Sequence, residues 1–359
     1  LPHRACLGGL LPDSYRACLG GAVPDGYAQG WRHAVPHRAC LGGSLPDSYR
    51  ACLGGSLPDG YRACLGGLLP GGYRRQSRIP FLSAGVPLMD SLTPIYTAEN
   101  CVAAYQLNWA VSLFAQATLP HADTWAGPLG GALETSDAIR ILEYRQPSPG
   151  VLQFLVSTQP PLAPAVVLQR LKGRLQYVLR DRVPKAFRRN YRLESVGSAK
   201  REVIEKYIQN QLRRHPMADA RVQSRFEWLQ IASADVDLSQ VRYTGHGQFV
   251  YNLHVVLEHA DNWCAVDPQY LRKTHEMILR VCRKNGFLLS RAGIVANHVH
   301  LAIGCAMDDA PQSVALCFLN NLAYAHGMKA VYRFGYYVGT FGNFDLGALR
   351  TAREMDGGL

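Results

Sequence analysis

Two short fragments of this 359-residue chain hold side chains that could do chemistry together. One is Tyr207-Ile208-Gln209-Asn210-Gln211, the other Asn297-His298-Val299-His300-Leu301. The second lies in a mostly apolar stretch from Ile294 to Ile303 that reads as a buried strand. Residues two apart on a strand share a face, so both imidazoles can converge on one metal ion. The first lies in a stretch from Ala199 to Arg214 with repeated Glu, Lys and Gln and no Gly or Pro, which predicts a helix. Tyr207 and Gln211, four apart, then share a face. A phenol, an amide oxygen and two imidazoles are the parts needed for metal-assisted attack of tyrosine on a phosphodiester. Taken singly, each fragment is also an ordinary packing pattern: most His-x-His strands pair or pack, and most helical tyrosines are core or rim.

The elements that would carry these groups occur twice. Tyr105 to Val111 aligns with Tyr251 to Leu257 at an offset of 146, and Val151 to Ser157 with His298 to Gly304 at 147. Val196-Gly197-Ser198 aligns with Val338-Gly339-Thr340 at 142. Such near-constant offsets indicate tandem copies of one unit. Each copy reads as strand, helix, strand, strand, helix and a terminal helix. The expected fold is therefore α+β: two tandem ferredoxin-like (RRM-like) domains with antiparallel sheets, arranged as a pseudo-dimer and joined edge to edge. The boundaries predicted are 76–215 for the first domain, 216–248 for a linker with a short helix near Arg221 to Ala232, and 249–355 for the second. The first copy has Val151 and Gln153 where the second has His298 and His300. Counting from the Val-Gly turn, the second copy has Leu349 and Arg353 where the first has Tyr207 and Gln211.

The motifs resemble the single-tyrosine HUH transposases, the family that includes the REP-associated tyrosine transposases. The likeness rests on Tyr251-Asn252-Leu253-His254, the His-Val-His strand, Leu171-Lys172-Gly173, Ser195-Val196-Gly197 and the Tyr-Ile-x-x-Gln helix, and spans about 95–350. Here the tyrosine helix precedes the histidine strand, the reverse of the family order, and the duplication accounts for the inversion. The resemblance implies two-fold dimers in which tyrosine from one subunit faces the histidine pair of the other. A fused dimer with complementary losses would keep one composite site (Tyr207, Gln211, His298, His300) and lose its mate (Val151, Gln153, Leu349, Arg353). It further implies cleavage and strand transfer of single-stranded DNA through a 5′-phosphotyrosine, as in transposition of an insertion-sequence or REP-type element, on hairpin-bearing ends. Tyrosine is a poor nucleophile at its free pKa of ~10, so metal and local field must assist it. Two imidazoles and an amide oxygen suit Mg²⁺ or Mn²⁺, and the lack of a cysteine at ligand spacing argues against zinc. Asn297 and His254 are candidates for supporting the ligands.

Charge points the same way. The chain carries a formal +11, and Lys172, Arg174, Arg180, Arg182, Lys185, Arg188, Arg189 and Arg192 cluster against the single acid Asp181. Tyr177, Phe187 and Tyr191 are interleaved, and cations with aromatic rings suit phosphates and unpaired bases. Asn320 to Phe341, the counterpart, keeps only Lys329 and Arg333. The alternative function is a domesticated, inactive binder of hairpin or single-stranded DNA. With no apolar run of 18 residues and no signal peptide, a cytoplasmic, nucleoid-associated protein without membrane contact is expected, a monomeric pseudo-dimer with higher assembly left open. Residues 1–75 repeat Leu-Pro-Asp-Ser-Tyr-Arg-Ala-Cys-Leu-Gly-Gly at a 12-residue period. Gly-Gly and Pro in each unit oppose helix and leave little apolar surface for a core, so disorder or mistranslated repeat DNA is expected there.

Overall fold

The computed structural model describes residues 93–260, 264–344 and 346. The repeat segment 1–75 and the last part of the predicted second domain lie outside them. Strands β1 (Val102–Gln106) and β2 (Asn108–Ala115) lead through α1 (Ala126–Asp137) into the hairpin β3 (Ile139–Ser148) and β4 (Val151–Thr158). Then follow α2 (Pro164–Leu179), β5 (Phe187–Val196) and α3 (Arg201–Gln209). The connection holds α4 (Gln211–Arg214), α5 (Ala220–Leu229), β6 (Ile231–Ala232) and β7 (Arg242–Tyr243). The series then repeats as β8 (Gly247–Val250), β9 (Asn252–Glu258), α6 (Pro268–Asn285), β10 (Leu288–Ile294), β11 (His298–Gly304), α7 (Pro311–Ala325) and β12 (Gly335–Phe341).

This mixed α+β chain forms two six-stranded sheets, ordered β3-β4-β2-β5-β8-β7 and β1-β12-β9-β11-β10-β6. Four strands of each, β3-β4-β2-β5 and β10-β11-β9-β12, have the same order and antiparallel pairing. The expectation of wholly antiparallel sheets needs correction. β1 pairs parallel with β12 of the other sheet, and β8 pairs parallel with β5. The edge-to-edge joint is therefore an exchange of strands. The predicted linker is likewise drawn into the sheets, with β6 on β10 and β7 on β8. Both arrangements give open strand edges partners they would otherwise lack.

Between β5 and β12 the contacts are reciprocal. Ser195 Oγ donates to Phe341 O (2.6 Å) and accepts from Asn252 N (3.0 Å). Thr340 Oγ1 donates to Val196 O (2.7 Å) and accepts from Asn108 N (2.8 Å). Arg201 N donates to Gly342 O at 2.8 Å and Leu346 N to Gly197 O at 3.1 Å. A Cβ on Gly197 or Gly342 would strike the carbonyl oxygen of Thr340 or Ser195, so the crossing needs glycine on both sides. Positions that play equivalent parts in these reciprocal bonds, Ser195 and Thr340, Val196 and Phe341, Arg201 and Leu346, lie 145 apart, which matches Gly197 with Gly342 rather than with Gly339. Gly339 sits mid-strand on β12 beneath the Tyr337 ring.

Helix ends follow the sequence. α6 starts with Asp267 accepting from Tyr270 N (2.7 Å) and Pro268 at its first position, and stops at left-handed Gly286. Its buried stripe of Leu271, Met277, Ile278, Val281 and Cys282 joins α7 over one face of the second sheet. The opposite face is covered by α3, forming a smaller apolar cluster of Ile204, Tyr207, Ile208, Val256, Ala302 and Tyr337. Covered on both faces, β11 is buried throughout. Among the described residues no helix is long and apolar enough to cross a membrane.

Candidate active site

α3 leaves the first sheet after β5 and lies on β10 and β11 of the second. Its amphipathic pattern turns Ile204, Glu205, Tyr207 and Ile208 inward. Glu205 holds the helix in place: its carboxylate accepts from Ser290 Oγ on β10 and from Arg201 Nη1 (3.3 Å). Arg201 also faces Asp237 at 3.5 Å. Gly293 on β10 allows the close approach, because a Cβ there would stand 3.1 Å from Ile208 O and 3.3 Å from Gln211 Cγ. Gly293 is the register partner of His300, so the α3–α4 junction lies over the histidine strand.

The structure brings Tyr207, His298 and His300 together and sets Gln211 against Gly293, the register partner of His300. The Tyr207 ring meets His300 edge-on at 5.4 Å between centroids, and the rings of His298 and His300 are 4.7 Å apart. Gln211 is fully buried, with neither amide atom hydrogen-bonded, and the Nε2 atoms of His298 and His300 are likewise buried without a hydrogen-bond partner. Buried polar atoms ordinarily find partners, so unpaired ones call for an explanation. Their Nδ1 atoms are engaged. His298 Nδ1 lies 2.8 Å from Asn297 Oδ1, an oxygen that can only accept, so the proton is on Nδ1 and the Nε2 lone pair is exposed. His300 Nδ1 lies 2.9 Å from His254 Nε2. In the tautomer where His300 donates, its Nε2 lone pair is exposed too.

Burial depresses the basicity of these rings. The pKa values of His298 and His254 fall to about 3, and that of His300 well below the ordinary histidine value, with burial the main cause in each. All three are neutral at physiological pH, the form that binds metal. Two imidazoles and the Gln211 oxygen are a donor set that fits a divalent cation of the Mn²⁺ or Mg²⁺ kind. Among the described residues no three His, Cys, Asp or Glu side chains converge as a ligand group, so the amide is the third donor available.

Sequence reasoning passed over Arg214 and His215. The Arg214 guanidinium lies 5.0 Å from the Tyr207 ring centre, and the His215 ring lies 5.3 Å from that of His298. Their signal was helical spacing, since His215 continues the Tyr207–Gln211 face by four residues. Tyr207 itself is 3% exposed.

The predicted basic cluster divides. Lys172 Nζ donates to the carbonyls of Arg188 and Arg189, fastening α2 to β5. Arg174 pairs with nearly buried Asp137 at 2.9 Å, and Arg192 with Glu194 at 2.5 Å. Those three cations are engaged within the fold. Arg180 lies over the exposed Tyr177 ring at 4.1 Å and 3.6 Å from Asp181. Arg182, Lys185, Arg188 and Arg189 are exposed. The Tyr191 ring is covered by Gly247 and its hydroxyl meets Thr244 (2.8 Å), so it is not an open stacking platform.

The sequence model of a family described as "Transposase IS200 like" matches residues 134–211, from the end of α1 through Tyr207 to Gln211. A solved structure of a REP-associated tyrosine transposase bound to a REP hairpin is 14% identical, with a TM-score of 0.23. That match covers 29% of this chain and 61% of the other, less than two thirds of its length. No curated protein matches the chain.

Proposed function

We propose, from the match of residues 134–211 to the IS200-like transposase family, that the chain cleaves and rejoins single-stranded DNA at one composite site. The observation that carries this is the meeting of Tyr207, on the helix following the first sheet, with the histidine strand of the second, where three potential ligand atoms are buried unpaired. We read the chain as two tandem ferredoxin-like domains, 76–215 and 249–355 joined through 216–248, forming a pseudo-dimer. The repeated strand order and the reciprocal Ser195 and Thr340 contacts favour that reading. At an offset of 145, the counterparts of Tyr207 and Gln211 are Ala352 and Asp356, replacing Leu349 and Arg353; they lie outside the described residues. At the mate site Gln153, the counterpart of His300, accepts from Arg145 Nε at 2.8 Å. A guanidinium there opposes a bound cation.

In the proposed site His298, His300 and Gln211 would hold the cation, with Asn297 and His254 fixing the imidazole tautomers and Glu205 positioning the helix. When bound, the ion would supply charge stabilisation on the non-bridging oxygens of a phosphodiester. Once the DNA strand displaces the Arg214 cover, Tyr207 Oη attacks phosphorus and its proton passes to water entering with the strand. The P–O3′ bond breaks, the 3′-oxygen takes up a proton, and the 5′-phosphate stays on tyrosine. Attack by a 3′-hydroxyl reverses the step without ATP. Exposed Arg182, Lys185, Arg188 and Arg189 contact phosphates of hairpin-bearing single strands.

The full chain, incubated with labelled hairpin-bearing single-stranded DNA and Mn²⁺, should give a denaturation-resistant adduct absent with EDTA or in Tyr207→Phe. A second reading, a DNA binder without turnover, is favoured by the near-complete burial of Tyr207 beneath Arg214. Salt-sensitive binding with no adduct under any metal would select it.

A further inference from the structure

A cleft of about 420 Å³ opens at the start of α6, lined by Asp267, Gln269, Tyr270, Lys273, His326 and Lys329 among others. Its volume lies within the range of small-molecule pockets. Asp267 is the single acid in its lining, and that carboxylate caps α6. Lys273 and Lys329 are exposed and form no ion pair among the described residues, which leaves the cleft positive. Its floor is aromatic and fixed. Tyr270 stacks on His326 at 3.8 Å and 17°, and His326 Nε2 lies 3.0 Å from Thr274 Oγ1. His326 is held neutral, its pKa lowered to about 4 by burial and then by the Lys273 charge.

The floor is tied to the histidine strand. Tyr270 Oη lies 3.0 Å from His259 Nε2, and His259 Nδ1 lies 2.9 Å from Ala296 O. His259 N donates to Asn297 O (2.8 Å), the residue whose side chain orients His298. The cleft and His298 thus flank one end of the second sheet, the cleft on the α6 side and the ligand atoms on the α3 side. Asn297 is exposed at the corner between them.

We propose that this cleft binds one nucleotide of the DNA strand adjoining the scissile phosphate, with its phosphate between Lys273 and Lys329 and its base or sugar against the Tyr270–His326 pair. The strand wraps around the sheet end past Asn297. Two cations without a second acid select a phosphate, and a rigid aromatic floor offers a π-face to any base. This inference rests on the proposed DNA-cleaving function and adds a subsite to it.

The test uses the full chain and single-stranded oligonucleotides carrying one 5-iodouracil at successive positions. Crosslinking should reach the peptide containing Tyr270 from one position next to the cleavage point. In Lys273→Gln/Lys329→Gln, binding should weaken at least tenfold. The slope of log K against log salt should fall by about 0.7, the value for one neutralised phosphate of a single strand. If the wild type binds and forms its adduct while slope and crosslink are unchanged in the variant, the subsite is refuted and the cleavage reading stands. If the wild type neither binds nor forms an adduct, both fall together.

Discussion

Replacing Gln211 by Met should make the metal-free protein more stable, the reverse of the usual outcome at a fully buried position. Met has nearly the same length and volume, and core swaps that conserve volume cost little. What changes is the amide: Gln211 Oε1 and Nε2 are both buried without a hydrogen-bond partner. An unpaired buried polar group costs ~1–3 kcal/mol in mutational series. Removing the amide should therefore raise the unfolding free energy in EDTA by about 1–3 kcal/mol. With Mn²⁺ the order should invert. A ligand at 100 times its Kd stabilises a native state by ~2.7 kcal/mol, and the variant, short of its third donor, forfeits most of that gain. Urea unfolding followed by tryptophan fluorescence, with EDTA and with Mn²⁺, measures all four values. A variant less stable than wild type in EDTA would mean that the amide is satisfied in the native protein, and the metal argument would lose its basis. Equal Mn²⁺ stabilisation of both proteins would show that any metal sits elsewhere.

Three other outcomes follow from the same geometry. His254 and His298 have folded pKa values near 3 against 6.5 for an ordinary histidine, so between these limits the unfolded chain binds more protons. Stability should be intact above pH 6.5 and decline as pH falls, by up to ~1.4 kcal/mol per pH unit for each ring; urea midpoints unchanged from pH 7.5 to 5 would contradict their burial as neutral groups. Ser195→Ala strips partners from Asn252 N and Phe341 O, and Thr340→Val from Asn108 N and Val196 O. Each should cost about 2–3 kcal/mol, since a buried group left unpaired loses ~1–3, and a loss under 0.5 kcal/mol in either would disprove a tight seam. Gly293→Val should drive β10 against Ile208 and Gln211, costing ~1–3 kcal/mol as overpacking does and abolishing Mn²⁺ stabilisation; retained metal response would show that the helix junction tolerates displacement.

The candidate site was legible because its parts obey local periodicities. His298 and His300 share a strand face, and Tyr207 and Gln211 share a helix face, whatever the rest of the chain does. The repeated strand order was legible from the paired sequence anchors, although the third anchor misled. Val-Gly at 338–339 resembles Val-Gly at 196–197, yet hydrogen bonding matches Gly197 with Gly342, because the crossing carbonyls exclude a Cβ at those two positions. Strand exchange left no local trace. β1 and β8 are short strands whose partners lie more than 200 and about 55 positions away, respectively, and nothing in their own residues selects β12 or β5. Composition also overstated the basic cluster. A charge count cannot distinguish Arg189, which is exposed, from Arg174, which neutralises a carboxylate beneath α2.

On the proposed reading, the seam that joins the sheets is what would let one half supply the nucleophile and the other its ligands. Arg201 N bonds to Gly342 O as α3 begins, so the helix is anchored to the end of β12 before it crosses β10 and β11. From there Glu205 meets Ser290 and Tyr207 meets His300 within two turns. The reciprocal bond, Leu346 N to Gly197 O, anchors the second half to the first sheet in the same way. Yet β4 of the first sheet carries Val151 and Gln153, and Arg145 bonds to Gln153. On our reading, the strand frame of both halves has been kept while the chemistry of one has been replaced. The seam holds the two sheets together whether or not either site works, and folding needs Ser195, Thr340 and both glycines for it. On the proposed reading, cleavage alone needs Tyr207, Gln211, His298 and His300 together, and Gln211 is predicted to cost stability in the absence of metal.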